Sequence, residues 1–213
     1  MSTAHPIMLV DDHPMMRRGM RQLLEMEDDL KVIAEANHGQ EALEMLKEHH
    51  PELILLDNNM PQMNGLETLK KLRQSGFTGR VLLFTVSDAE EDVRAALRHG
   101  ADGYLLKDME PEQLIQQVRD ALNGDLVVSP TLTRVLAQAL RDPQPAQSHA
   151  VDLTDRERQV LKMIAGGNSN KMIGRKLGIT EGTVKVHVKN LLHKLGLRSR
   201  VEAAVWALEK LKH

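Results

Sequence analysis

The sequence predicts an α/β domain built on a parallel sheet, followed by an all-helical domain, and three observations carry that prediction. Short apolar runs recur through the first 125 residues, each bounded by helical or turn-like sequence. Three of them end in charged residues: 7–10 before Asp11-Asp12, 53–56 before Asp57, and 104–106 before Lys107. Beyond residue 150 the strand signal stops, and two capping-box strings, Thr154-Asp-Arg-Glu157 and Ser199-Arg-Val-Glu202, open helical patterns.

In order, strands are expected at 7–10, 31–36, 53–56, 81–85 and 104–106. Helical patterns follow at about 14–26, 39–48, 66–74, 89–98 and 111–122. Pro51, Pro61, Gly76, Gly79 and Gly100 punctuate them, and Pro111 suits a first helical turn. The strands show little alternation, which fits a sheet covered on both faces. Alternating strands and helices make a parallel sheet, so the strand ends share one edge, where ligands of such sheets bind. Residues 130–140 suit another helix, and 142–149, with two prolines and no apolar anchor, read as an exposed linker. The expected division is thus a domain over 5–125, a linker over 126–150 and a helical domain over 151–213.

In that last domain a helix runs from the first capping box to about Ala165, where Gly166-Gly167 stops it. A short helix at 170–177, with Ser169 as cap, leads through the turn Gly178-Ile-Thr180 into a helix at 181–195. Two helices joined by a short glycine-containing turn are the helix-turn-helix signature.

Composition narrows the function. Apolar residues are 41% of the 213 but aromatics only 2%, so Leu, Val, Ile, Ala and Met must fill both cores. The absence of cysteine excludes disulfides, zinc-thiolate sites and thiol catalysis. There is no run of 18 apolar residues and no basic-then-apolar start, so the expectation is a cytoplasmic chain with no membrane partner. The net charge of −2 hides an asymmetry. Residues 151–213 carry 13 Lys and Arg against 6 Asp and Glu, or +7, while residues 1–150 carry 15 against 24, or −9. A basic domain of this kind suits nucleic acid.

At the shared edge, Asp11, Asp12, Asp57 and Lys107 converge. Carboxylates this close stay ionised together only beside a cation. Oxygen-only ligands favour Mg²⁺ over zinc. Asp57 is placed to act as a nucleophile towards a phosphoryl group, Lys107 to pair with a phosphoryl oxygen, and the Thr85 hydroxyl to reach the same edge. Each residue has a plainer reading alone: Asp-Asp as a helix cap, Lys107 as surface, Thr85 as a buried β-former, Tyr104 as a half-buried aromatic. Their joint placement at strand ends outweighs those readings. His13 and His38 are read as loop or cap residues.

On the helical wheel of 181–195, Val184, Val188, Leu191, Leu192 and Leu195 form an apolar stripe. Lys185, Val186, Lys189 and His193 fall on another arc. Lysines can donate to guanine or phosphate, and a valine can touch a thymine methyl.

The strings Val10-Asp-Asp-His13, Asp57-Asn-Asn-Met-Pro61, Phe84-Thr85 and Tyr104-Leu-Leu-Lys107 resemble the receiver domain of bacterial two-component response regulators. The resemblance implies that Asp57 accepts a phosphoryl group from a sensor histidine kinase. It also implies that Asp12, Asp57 and the Asn59 carbonyl hold Mg²⁺ with help from Asp11, and that Thr85 and Tyr104 are a switch pair. Val86 departs from the smaller residue that many receivers carry after the switch threonine, which leaves the lifetime of the phosphorylated state open. Residues 153–209 resemble the LuxR-type helix-turn-helix, and the pair of domains resembles the NarL/FixJ family, with a sheet of flavodoxin-like order 2-1-3-4-5. By that resemblance Lys185, Val186 and Lys189 read bases, while Lys171, Thr180, Thr183 and Arg200 contact phosphates. It implies a homodimer on double-stranded operator DNA, with RNA polymerase as a further partner. The strings Gly100-Ala-Asp-Gly-Tyr-Leu-Leu-Lys-Asp-Met-Glu-Pro111 and Thr183-Val-Lys-Val-His-Val-Lys189 look like nitrate/nitrite regulators, a subfamily for which nothing in the chain itself binds nitrate.

Two rivals remain at this point. A phosphatase of the haloacid-dehalogenase type also forms an aspartyl phosphate, but it needs a second aspartate where Asn59 stands. The alternative is a receiver whose helical module binds protein, which a salt-dependent DNA shift would exclude. The opposite charges of the halves predict that the receiver folds back on the second domain and hides part of 181–195. Trp206 is left between a core and a dimer role.

Overall fold

Six parallel strands in the order β2-β1-β3-β4-β5-β6 form the first half of the chain in the computed structural model. Its described residues are 4–87, 89–125, 127–128, 153–197 and 200–210. The expected helix at 130–140, the linker at 142–149 and the cap at Ser199 lie outside them. The elements are β1 His5–Val10, α1 Pro14–Glu25, β2 Leu30–Ala36, α2 Gly39–Met45, β3 Leu53–Leu56, α3 Gly65–Gln74, β4 Arg80–Thr85, α4 Glu90–Arg98, β5 Gly103–Leu106, α5 Pro111–Leu122 and β6 Val127–Val128.

Successive strand residues point to opposite faces, and both faces are covered. Met8, Val10, Ile54, Leu56, Val81 and Leu83 pack with α2, α3 and α4, while Ile7, Leu9, Leu53, Leu55, Leu82 and Phe84 pack with α1 and α5. This double burial is why the strands read as continuous apolar runs. Two details differ from expectation. α2 ends at Met45 rather than 48, and β6 extends the sheet beside β5 through a two-residue pairing too short to show a period.

The second half is helical: α6 Asp155–Ala165, α7 Asn170–Leu177, α8 Glu181–Leu195 and α9 Arg200–Lys210. The Thr154–Glu157 capping box is present in both directions. Lys194 Nζ lies 2.8 Å from Glu157 Oε2, which ties the end of α8 to the start of α6. Gly178 and Gly196 both have φ of +65°, closing α7 and α8 in the left-handed conformation that glycine adopts without strain. Val160, Leu161, Ile164, Ile173, Val184, Val188, Leu191, Ala203 and Ala207 form the core, and the half-buried Trp206 packs against it.

The two halves touch along a narrow seam. Asn170 Nδ2 donates to the Asn123 carbonyl at 3.0 Å, and α9 lies against α4. Gly124, at φ +86°, sits so close that an added Cβ would meet Asn170 Nδ2 at 2.4 Å. The contact is made, but it does not cover the reading arc of α8: Lys185, Val186 and Lys189 are all exposed. The expected occlusion is therefore absent from this arrangement, because the seam runs through the start of α7 and through α9.

Candidate phosphoacceptor pocket and nucleic-acid interface

The sheet's own hydrogen bonding brings the charged residues together. The ladder continues one residue beyond three strands: Asp11 N donates to the Ala36 carbonyl (3.1 Å), Asp57 N to that of Val10 (2.8 Å), and Lys107 N to that of Thr85 (2.9 Å). Three side chains therefore leave the sheet level with one another. Lys107 Nζ stands 2.7 Å from Asp11 Oδ2 and 3.0 Å from Asp57 Oδ2. All three side chains are buried. Burial alone would lower the Lys107 pKa, but the hydrogen bonds and charges of Asp11 and Asp57 outweigh it and raise it. Lys107 is thus a fixed cation.

One cation among three carboxylates leaves the pocket short of positive charge. Asp57 Oδ2, 3.0 Å from the ammonium, and Asp12 Oδ1, 2.8 Å from His13 Nδ1, are buried oxygens whose nearest cationic groups do not satisfy them with full hydrogen-bond geometry. Asp57 Oδ1 accepts from the Asn59 amide at 3.2 Å, and Asn59 itself is exposed. Asp11, Asp12, His13 and Asp57 place ligand atoms within 4.8 Å of one another. Incompletely satisfied oxygens in a carboxylate-rich pocket fit a hard divalent cation such as Mg²⁺.

His13 stands in the loop at a cap position, as expected, and also joins the acidic cluster. It holds the N-cap position of α1 without a side-chain cap bond, and its Nδ1 lies 2.8 Å from Asp12 Oδ1 and 3.2 Å from Asp11 Oδ1. The signal was its place in the Asp-Asp-His run. His38 does cap α2, accepting from the Glu41 amide.

Thr85 and Tyr104 are fully buried and meet on a residue the sequence did not single out. Ser87 N donates to Thr85 Oγ1 at 3.3 Å, and the Tyr104 hydroxyl donates to the Ser87 carbonyl at 2.9 Å. Ser87 Oγ also donates to Asp92 Oδ2 on α4 at 2.7 Å. Val86, between them, is 72% exposed. The loop leading into α4 is thereby gripped from both strands beneath it.

In the helical domain Val184, Val188 and Leu191 of the α8 stripe are buried and Leu192 and Leu195 half-buried against the same core, while Lys185, Val186, Lys189 and His193 are exposed. Val186 is 57% exposed, a large apolar side chain left in water between two lysines. Thr180 caps α8, accepting from the Thr183 amide at 3.1 Å, and its hydroxyl lies 2.8 Å from that of Thr183. Lys171 is exposed on α7.

Arg200 requires a correction. Expected at a DNA phosphate, it is 5% exposed, donating to Asn170 Oδ1 at 2.9 Å and to the Asn168 carbonyl. Desolvation and the charge of Arg80 pull its pKa down to about 10, against the opposing pull of Asp125. Its guanidinium holds the start of α7 for the seam and presents no donor to solvent-side DNA.

These two sites on this fold define a response regulator with a DNA-binding output domain. Residues 7–119 match the family described as response regulator receiver domain, and residues 151–207 match the luxR family of bacterial regulatory proteins. The chain belongs to the two-component response regulators with a LuxR-type helix-turn-helix, and is a transcription regulator rather than an enzyme. It is 54% identical over 209 residues to the nitrate/nitrite response regulator protein NarL of Escherichia coli K12, covering 97% of both chains. It is 45% identical to NarP of the same organism, covering 98% of this chain and 97% of that one. The crystal structure of the response regulator ChrA of a heme-sensing two-component system superposes with a TM-score of 0.53 at 33% identity over 98% of each chain. Among the described residues no helix is long and apolar enough to cross a membrane.

Proposed function

We propose that this chain is a cytoplasmic transcription factor of nitrate/nitrite-type respiratory control, switched by phosphorylation of Asp57 by a sensor histidine kinase. The division into a receiver at 5–125, a linker at 126–150 and a reading domain at 151–213 goes with that proposal. The observation that carries it is Lys107 bridging Asp11 and Asp57 in one buried pocket. Asp57 Oδ2 attacks phosphorus, the bond from phosphorus to the donor breaks, and Lys107 turns to a phosphoryl oxygen. Mg²⁺, held by Asp12, Asp57 and the Asn59 carbonyl with Asp11 behind, would neutralise the carboxylates and the incoming phosphoryl oxygens. Thr85 and Tyr104 then carry the change to α4 through Ser87.

Downstream, Lys185, Val186 and Lys189 read base edges in the major groove, and Lys171, Thr180 and Thr183 position the helix on phosphates. The chain acts as a homodimer on operator DNA and works on RNA polymerase. Incubation with acetyl phosphate and Mg²⁺ tests the pocket. The wild type should take up an acid-labile phosphoryl group, and Asp57→Asn should take up none. Uptake by the variant at the wild-type rate would refute the assignment.

A further inference from the structure

The acidic pocket carries one group that phosphoryl transfer leaves idle, the imidazole of His13. Pro14 opens α1, and a residue before proline is held in extended backbone, as His13 is at φ −90° and ψ 107°. Its amide is pinned as well, donating to Asp11 Oδ1 at 2.8 Å. The ring therefore leaves the chain beside the pocket instead of joining the helix, and it makes no cap bond there. Nδ1 stands 2.8 Å from Asp12 Oδ1 and 3.2 Å from Asp11 Oδ1. The side chain is 67% exposed, so it has room to turn. Lys107 takes the other oxygens, Asp11 Oδ2 and Asp57 Oδ2. One nitrogen of His13 and one oxygen each from Asp11, Asp12 and Asp57 lie within 4.8 Å of one another. Ligands about 2.1 Å from one metal ion stand at most about 4.2 Å apart, so a contraction of about half an ångström would close the set.

We propose that His13 is a direct ligand in this pocket for a divalent transition cation such as Mn²⁺, and turns an all-oxygen site into a mixed one. The inference rests on the pocket holding a divalent cation beside Asp57. Two observations choose this occupant. Asp57, only 2% exposed, keeps Oδ2 in the same space without full hydrogen-bond geometry, which suits a cation. The fourth member of the cluster is a nitrogen, and imidazole suits transition cations, whereas Mg²⁺ favours oxygen alone. Mn²⁺ takes the oxygen ligands of Mg²⁺ and, as a transition cation, also accepts an imidazole. With Mg²⁺ the ring stays beside Asp12, and with Mn²⁺ it turns onto the metal. The same three carboxylates then hold the two cations with different strength, and His13 sets the difference.

The test uses the full, untagged chain, with Mg²⁺ and Mn²⁺ titrated separately by calorimetry. The wild type should bind Mn²⁺ more tightly than Mg²⁺. His13→Ala should weaken Mn²⁺ about tenfold and Mg²⁺ by less than about twofold. His13→Gln, which keeps a hydrogen-bonding side chain but no imidazole, should match His13→Ala. In the wild type loaded with Mn²⁺, pulsed electron paramagnetic resonance should show modulation from a directly bound nitrogen, and both variants should lose it. Because the side chain is exposed and caps nothing, both variants should melt with the wild type when free of metal. Absence of the nitrogen signal in the wild type, or its persistence in the variants, would overturn the assignment. Equal losses for the two cations, recovered by His13→Gln, would overturn ligation and make His13 a positioning residue for Asp12. Tighter binding of both cations by His13→Ala would overturn it too, leaving an imidazole that only offsets carboxylate charge. A wild type that binds neither cation, or binding indifferent to Asp57→Asn, would instead overturn the pocket reading on which the inference rests.

Discussion

The phosphoacceptor edge and the reading arc of α8 are both lysine sites, and they solve opposite problems. Lys107 is buried between two carboxylates that hold it before any ligand arrives. Lys185 and Lys189 stand in water, with a 3.6 Å contact from Lys185 to Glu181 as their one ion pair among the described residues. A buried charge must be compensated within the fold, so its partners are fixed before any ligand arrives. An exposed charge on a reading helix must stay uncommitted, because its partner is on another molecule. Removing the first should injure the fold, and removing the second only the recognition.

Lys107→Ala is the harshest way to try that contrast. It leaves Asp11 and Asp57 facing each other in a buried pocket and should cost about 3–5 kcal/mol in denaturant unfolding without Mg²⁺. Lys185→Ala under the same conditions should stay within about 0.5 kcal/mol of wild type. Equal losses would break the comparison. Mg²⁺ should stabilise the wild type by about 2.7 kcal/mol at a hundred times its dissociation constant, and Asp57→Asn should reduce that gain. A melting temperature indifferent to Mg²⁺ would remove the cation from the pocket.

On the exposed side, Lys185→Ala or Lys189→Ala should cost about 1–3 kcal/mol on cognate DNA and less on scrambled DNA. Val186→Ser should lower the preference for a thymine at one position while leaving binding to random DNA nearly unchanged. Uniform losses in all three would sink base reading and spare the helix-turn-helix. The smallest effect concerns Glu157. The Lys194 hydrogen bond, aided by Thr154, holds its carboxyl below the usual range, against burial that would raise it. A lowered folded pKa gives stability that is present above the unfolded value near 4.5 and lost as pH falls through the folded one. Because Lys194 is 39% exposed and screened, the loss should stay below about 1 kcal/mol. Acid titration of Glu157→Gln should lack this step, and an unchanged acid limb would exclude the pair.

What the sequence disclosed follows the same physics. Strand ends, caps and the α8 stripe were legible because they depend on local pattern: an apolar run, a Thr-x-x-Glu, a repeat near 3.6. Asp57 and Lys107 were legible because the parallel sheet leaves their strand ends only one edge to share. Ser87 was not, because its part lies in its backbone, held by residues from two strands. Arg200 was misplaced for a related reason. An arginine opening a helix in a basic domain reads as outward-facing, and its partners Asn168 and Asn170 lie about thirty residues away in the chain. The extent of β6 was set by its pairing to Gly103 and Tyr104 and by nothing in Val127–Val128 itself.

That short strand bears on how the protein survives crowding. A sheet is vulnerable at its rims, where unpaired backbone groups can recruit another copy. Among the described residues one rim is β6, two residues long, which offers little template for a neighbour. The other is β2, where Lys31 is exposed and Glu35 half-buried, and where Arg21 reaches over from α1 to donate to the Val32 carbonyl at 3.3 Å while pairing with Glu35. Both rims are blunted, one by brevity and one by a borrowed guanidinium. Such rims leave a second copy of the sheet little free backbone to pair with.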